Sequence, residues 1–372
     1  MPPLLLTPGP LTTSDQTRAA LGRDWGSRES DFIALSEGVR ASLAALAGVE
    51  RTHVAVPVQG SGTFAVEAAI QTLVPRDGRL LVLVNGAYGR RVVEIARRLG
   101  RACVTLETRE DQPILPGRVA DALAADPMIS DVVLIHCETT SGLLNPLAEI
   151  AACVRQAGRR LLVDAMSSFG AIPIDGAKIP FTALIGSSNK GLEGVPGLGF
   201  VIVETACLQG CAGNASSLSL DLFDQWRGFE SNGQWRFTPP VQVVAGLGAA
   251  LDQLHAEGGI AARHARYRRN CDVLVQGMWE RGFTTYIEPA LQAPVIVTFR
   301  IPAGDWFQFQ TFYDFLHARD IVIYPGKLTH EPSFRIGCIG AIGPDDMMRA
   351  LAEIDAYLAA HRTAQSADIN RT

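Results

Sequence analysis

No run of uncharged apolar residues in this chain approaches the ~18 needed to cross a bilayer as a helix, so a membrane-spanning reading fails at the outset. An excess of positive charge is missing too. Lys and Arg number 33 against 38 Asp and Glu, a net charge of −5, and no dense basic run carries interleaved aromatics. That argues against a nucleic-acid-binding surface, while leaving room for a single arginine to capture a small anion. Cysteine pairing is also absent. The seven cysteines (103, 137, 153, 207, 211, 271 and 338) are odd in number and scattered, with neither a CxxC pair nor a Cys/His cluster at zinc spacing. Cys103 and Cys137 lie in apolar, strand-like runs where a thiol behaves as a small hydrophobe. A reducing compartment, the cytoplasm, is therefore expected, and a metal site is not. The opening Met1-Pro-Pro-Leu-Leu-Leu-Thr-Pro-Gly-Pro10 lacks the basic stretch and full apolar core of a signal peptide. Internal repeats and low-complexity tracts are missing as well.

What is present is ordinary globular material: 372 residues, 47% apolar and 19% charged, enough for two or three units of about 150 residues each. The first fourteen residues, rich in Pro and Thr, read as an extended arm. Residues 29–47 follow with a helical pattern, Phe32, Leu35, Val39, Leu43 and Leu46 recurring at three- and four-residue steps. From Val54 to about Glu204, strand-like and helix-like segments alternate. The strand-like runs are 80–84, 103–106, 131–135, 161–163, 183–185 and 199–203, with amphipathic segments at 64–74, 89–99, 117–125 and 146–157. Short, nearly all-apolar strands alternating with helices predict an α/β fold with a mostly parallel sheet covered on both faces. Ligands of such sheets bind outside the carboxyl ends of the strands. Beyond Pro239-Pro240 come helical patterns at 241–256 and 260–281. Strand signals at 294–300, 321–324 and 333–338 then mix with helices at 306–318 and 345–360. The expected organisation is an arm (1–14), a large α/β domain (15–258), a small C-terminal α+β domain (259–361) and a frayed polar tail (362–372).

Chemistry gathers at a few strand ends. Leu161-Leu-Val-Asp164 is an apolar strand ending in a lone aspartate. About 25 residues later, Ser187-Ser-Asn-Lys-Gly-Leu-Glu-Gly-Val-Pro-Gly197 sets a lone lysine, Lys190, among small residues and glycines. Taken singly, Asp164 reads as a turn cap and Lys190 as a solvated loop residue. Together they suit a pyridoxal phosphate site, which needs an amine for a Schiff base and a carboxylate to keep the pyridine nitrogen protonated. Only Glu193 is charged near Lys190 in sequence, and such surroundings lower a lysine pKa. Gln59-Gly-Ser-Gly-Thr63 runs straight into a helical pattern, exposing backbone N–H groups where the helix dipole favours an anion. It is neither a Walker loop nor a dinucleotide fingerprint. Asn85-Gly-Ala-Tyr-Gly89 places Tyr88 where it either stacks on a flat ring or half-buries in the core. His136-Cys-Glu-Thr-Thr-Ser-Gly142 ends a strand with hydroxyls, of which Thr139 or Thr140 can bond a ring oxygen. Arg335, within Phe334-Arg-Ile-Gly-Cys338, sits in an apolar strand and demands an anionic partner, either a protein carboxylate or a substrate. Gly233-Gln-Trp-Arg-Phe-Thr-Pro-Pro240 is a rigid turn able to carry Thr238 into a neighbouring site.

With these motifs the chain resembles the fold-type-I pyridoxal phosphate enzymes of the class V aminotransferase group. The resemblance spans nearly the whole length, from Leu6-Thr-Pro-Gly-Pro10 to about residue 360. Members often have a cysteine where this chain has Gly191, a position that does not carry the chemistry. Within the group the pattern looks like that of enzymes moving the amino group of 2-aminoethylphosphonate to pyruvate. The resemblance implies pyridoxal 5′-phosphate as cofactor and a homodimer with shared sites. It makes Lys190 the Schiff-base lysine and Asp164 the partner of the ring nitrogen. Ser61, Gly62 and Thr63 would bind the phosphate with Asn189 flanking it, Tyr88 would stack on the ring, and Thr139 would contact its oxygen. Thr238 would reach the phosphate from the other subunit, and Arg335 would hold the substrate's anionic end. Three rivals stand beside this reading: an alanine or serine aminotransferase with glyoxylate or pyruvate as acceptor, a carbon–sulfur lyase or desulfurase, and a non-enzymatic sensor that keeps the fold. The lyase needs a nucleophilic cysteine on a mobile loop, whereas Cys338 lies in a strand.

Overall fold

The apolar runs assemble into one seven-stranded sheet in the computed structural model, which describes residues 2–304 and 306–369. Its strands are β1 (His53–Gln59), β2 (Arg79–Val84), β3 (Ala102–Glu107), β4 (Ile129–Ile135), β5 (Arg160–Asp164), β6 (Ala183–Ser187) and β7 (Leu198–Glu204). Across the sheet they run β1-β7-β6-β5-β4-β2-β3. Strands β2 to β6 pair in parallel, and β7 runs against both of its neighbours, β1 and β6. The helices of this unit are α1 (Ser30–Leu46), α2 (Gly62–Leu73), α3 (Ala87–Arg98), α4 (Pro116–Ala125), α5 (Leu147–Gln156) and α6 (Val241–Glu257).

Alternation along each strand divides the core into two layers. Leu81, Leu83, Val132, Leu134, Leu161 and Val163 pack against α1, α4, α5 and α6. Leu80, Val82, Val133, Ile135, Leu162 and Ile185 face α2 and α3 on the other side. Strand β1 is absent from the expectations, and Pro57 in its interior explains why. A proline cannot donate to a ladder, yet β1 is an edge strand with one partner, where the missing N–H is tolerated. A helix at Leu222–Asn232 is also new. It is capped by the Asp221 side chain and closed by Gly233 at φ 75°, both signals that the sequence does carry.

The C-terminal unit has a three-stranded antiparallel sheet, β8 (Ile296–Arg300), β9 (Tyr324–Pro325) and β10 (Ser333–Gly337), in the order β8-β10-β9. Helices α7 (Gly259–Glu280), α8 (Phe309–His317) and α9 (Pro344–Ile369) pack with it around Phe283, Phe299, Phe307, Phe312 and Phe334. The glycine pair at the expected boundary forms the turn between α6 and α7, both glycines having positive φ. The arm is extended as far as Ser14, which caps a short helix. Leu4–Leu5 pairs in parallel with Ile321–Val322, and the Gly337 N–H donates to the Leu6 carbonyl at 2.9 Å. The tail is a correction: instead of fraying from residue 362, the chain continues α9 through Ile369. Alanine and glutamine in that stretch favour helix, and extending an existing helix needs no new nucleus. The last part of the expected tail, 370–372, lies outside the described residues. No described helix is long and apolar enough to cross a membrane.

Candidate active site

The carboxyl ends of β2, β4, β5 and β6 open onto a cavity of about 190 Å³. Seven of the residues singled out from sequence line it: Ser61, Gly62, Thr63, Tyr88, Asp164, Asn189 and Lys190. Ser61 holds the N-cap position of α2 with extended backbone, and its side chain makes no capping bond. Its hydroxyl is thus left for a ligand at a helix start that favours negative charge. A side chain at Gly62 would meet the Met166 sulfur at 2.2 Å, so the Met166 side chain packs closely against this turn and would have to move for anything larger than glycine.

Asp164 is the last residue of β5 and is buried. Its Oδ1 accepts from the Met166 amide at 3.0 Å. Burial pushes its carboxyl up to about 6, and Glu138 adds to that; Arg91 and Lys190 pull the other way. Burial likewise holds the Lys190 ammonium below the usual lysine range, helped by the charges of Arg335 and Lys327 and opposed by Tyr88 and Asp164. Its Nζ donates to the Gly9 carbonyl at 3.0 Å. The loop beyond Lys190 is pinned from the C-terminal side. Glu193, at φ 62°, pairs with Arg266 at 2.8 Å and accepts from the Tyr267 hydroxyl, while Arg263 donates to the Gly191 carbonyl at 3.2 Å.

Tyr88 stands on the first turn of α3. Burial raises its hydroxyl pKa, but contact with Thr139 and the charges of Lys327 and Lys190 outweigh that, and the net shift is downward. Thr139 is buried behind Tyr88 rather than lining the cavity. Arg335, on β10, lies at the same end. Its Nη1 donates to the Thr139 carbonyl and its Nε to the Pro325 carbonyl, both at 3.0 Å. Burial depresses its guanidinium pKa. Between the two partners left open by sequence, a protein carboxylate is not what holds it: no ion pair forms at Arg335 among the described residues. Thr238 is exposed and not part of the cavity lining.

Three further residues belong to this constellation and were not anticipated. Glu138 is buried and accepts from the Thr140 amide (3.1 Å), the Thr140 hydroxyl (2.6 Å) and the Tyr88 amide (3.2 Å), anchoring the start of α3. Gly86 must be glycine for this, since a Cβ would sit 2.3 Å from the Glu138 carboxyl carbon. Arg91, one turn beyond Tyr88, lines the cavity and donates to the Thr63 hydroxyl at 3.3 Å. Lys327 places its ammonium 4.1 Å from the centre of the Tyr88 ring. The acid in His136-Cys-Glu138, the i, i+3 spacing of Tyr88 and Arg91, and the lone lysine in Tyr324-Pro-Gly-Lys327 were the available signals.

The lining fits pyridoxal phosphate. It combines the start of α2 at Ser61–Thr63, which suits an anion, with the buried carboxylate of Asp164 and the aromatic ring of Tyr88. The Ser187 hydroxyl, which also lines the cavity, is buried with no hydrogen-bond partner among the described residues, as expected of a group meant for a ligand.

Comparison with known proteins agrees with this geometry. The family model described as "Aminotransferase class-V" matches residues 12–350. A 2-aminoethylphosphonate–pyruvate transaminase of Pseudomonas putida (strain GB-1) is 54% identical over 349 residues, covering 94% of this chain and 95% of that protein. One of the same name from Pseudomonas entomophila (strain L48) is 52% identical over 367 residues, 99% of each chain. Among solved structures, the pyridoxamine–pyruvate aminotransferase of Mesorhizobium loti superposes with a TM-score of 0.88 at 26% identity, covering 97% of this chain and 93% of that one.

Proposed function

The chain belongs to the class-V aminotransferases, and from that premise we propose that it moves the amino group of 2-aminoethylphosphonate to pyruvate, yielding phosphonoacetaldehyde and alanine. The observation that carries this reading is the 52–54% identity, across 94–99% of the chain, with relatives named for that one reaction. A carbon–sulfur lyase finds no support, because the Cys338 thiol is buried and held protonated by contact with Cys271 and by burial.

Pyridoxal phosphate, when bound, supplies the electron sink that lets a carbon bearing an amine lose a proton. We assign its phosphate to Ser61, Gly62 and Thr63 at the start of α2, with Asn189 beside them. Tyr88 would cover a ring face and Asp164 would face the ring nitrogen, while Thr139, the expected partner of the ring oxygen, is buried against the Tyr88 hydroxyl and would position that ring instead. Lys190 provides the covalent attachment, and its Nζ, with a depressed pKa, takes the proton from the amine-bearing carbon. Arg335 holds the substrate's anionic end, phosphonate in one half of the reaction and carboxylate in the other. A planar guanidinium can fork onto either.

Thr238 we assign to the phosphate of a second subunit, making the enzyme a homodimer with shared sites. Its exposure away from its own cavity fits that role. So does the apolar surface of its neighbour Phe237, which is 42% exposed. The seven free cysteines suit the cytoplasm, where we place it.

The test is turnover by the cofactor-loaded enzyme of 2-aminoethylphosphonate, serine and alanine, each with pyruvate and with glyoxylate. We expect 2-aminoethylphosphonate with pyruvate to be the best pair. Use of serine with no use of the phosphonate would overturn the assignment.

A further inference from the structure

We propose that Lys327 is the second cation of the substrate site, the one that reads the extra charge of a phosphonate and separates it from a carboxylate. The inference rests on the aminotransferase reading above and adds to it the origin of the substrate preference.

Lys327 lies in the turn leaving β9. Strand β9 pairs with β10 so that Tyr324 stands opposite Arg335, which brings the turn to the same end of the small sheet as the guanidinium. The turn is tight. Gly326 N–H donates to the Ser333 carbonyl at 2.9 Å, and a Cβ at Gly326 would clash with Ser333 at 2.1 Å. From there the ammonium reaches over the Tyr88 ring, 4.1 Å from its centre, and contacts the phenol hydroxyl. Arg335 interacts with that same hydroxyl. Two cations from the C-terminal unit thus converge on one phenol, which lines the same cavity as Lys190.

Neither cation has an ion-pair partner among the described residues. The nearby carboxylate of Glu110 is engaged elsewhere, by Arg90 and by the Thr329 amide at 3.0 Å. Like charges brought together without a counter-ion raise the energy of the empty site, and a bound anion relieves it. A carboxylate offers two oxygens and one charge, which the planar Arg335 fork can satisfy alone. A phosphonate offers a third oxygen and, like a phosphate monoester, approaches two negative charges near neutral pH. A compact ammonium on a flexible stem suits that third oxygen.

The experiment compares wild type with Lys327→Met in single half-reactions, using 2-aminoethylphosphonate and L-alanine as amino donors. The variant should lose roughly 10- to 100-fold in kcat/KM with the phosphonate, the size of one charged hydrogen bond, and several-fold less with alanine. Lys327→Arg should restore most of the preference. Calorimetric titration with ethylphosphonate and propionate, which lack the amine, should show the same bias in binding alone, larger at pH 8 than at pH 6. Equal losses for both donors, or no change in the ethylphosphonate-to-propionate ratio, would overturn the role of Lys327. A wild-type enzyme that ignores 2-aminoethylphosphonate would instead sink the function proposed above.

Discussion

Asp164 and Lys190 stand at or just beyond the ends of β5 and β6, inside a seven-stranded sheet buried on both faces. Arg335 and Lys327 come instead from a three-stranded sheet of the C-terminal unit, and backbone carbonyls rather than a packed layer hold the guanidinium. The first pair is fixed by the core of its unit. The second pair does not line the cavity; it meets Tyr88, which does, from the C-terminal unit. With the residue roles proposed above, cofactor chemistry and substrate choice should be separable by mutation, each end having its own signature.

The sharpest way to break the comparison is Lys190→Ala, which removes the group at the centre of the first end. Turnover should fall by more than roughly 10⁴-fold, and borohydride reduction should no longer leave cofactor mass on the chain. Arg335→Ala probes the other end. We expect kcat/KM to drop by about 10²- to 10³-fold with both donor and acceptor, as for loss of a forked, charge-assisted contact, with cofactor affinity nearly unchanged. A parallel loss of cofactor would show that the two ends are not independent.

Asp164→Asn returns to the first end with a smaller effect, about 10²-fold in kcat. It also has a pH signature. In the role proposed for it, the Asp164 carboxyl, raised to about 6, would have to be ionised to pair with a protonated ring nitrogen. Wild-type affinity for pyridoxal phosphate should therefore weaken as pH falls through about 6, and the Asn variant should lose that step. The sign is set by the raised pKa: acidification adds the proton that the folded, empty site already favours. Thr238→Ala should have the mildest consequence, about 3- to 10-fold in cofactor affinity, the cost of one neutral hydrogen bond. Mixing this variant with Lys190→Ala should then produce hybrid dimers in which one site lacks both groups and the other has both.

Which features the sequence disclosed follows from how each is built. Asp164 and Lys190 were legible because a strand end and a glycine-flanked lysine are local patterns, and the pair has few other uses. Ser61 to Thr63 were legible because a small-residue turn announces a helix start. Glu138, Arg91 and Lys327 were not, because their roles exist only once three distant loops meet at Tyr88. Strand β1 was hidden by Pro57, acceptable only at an edge that a single sequence does not reveal. The helix at Leu222–Asn232 was hidden by its polar surface, although Asp221 and Gly233 bracket it correctly.

The arm carries a corollary of its own. Leu6 is bonded to Gly337, two residues past the guanidinium, and Gly9 to the reactive amine, so a three-residue span of backbone sets the separation between the two. Leu6 must keep its place in the core, and Gly9, at φ 118°, has no room for a Cβ, which would lie 2.5 Å from the Asn189 carbonyl; the length is fixed as well. One inserted residue would carry the Gly9 carbonyl up to about 3.5 Å along the chain, farther than a hydrogen bond stretches. The arm works as a ruler, and evolution in this stretch is expected never to add a residue.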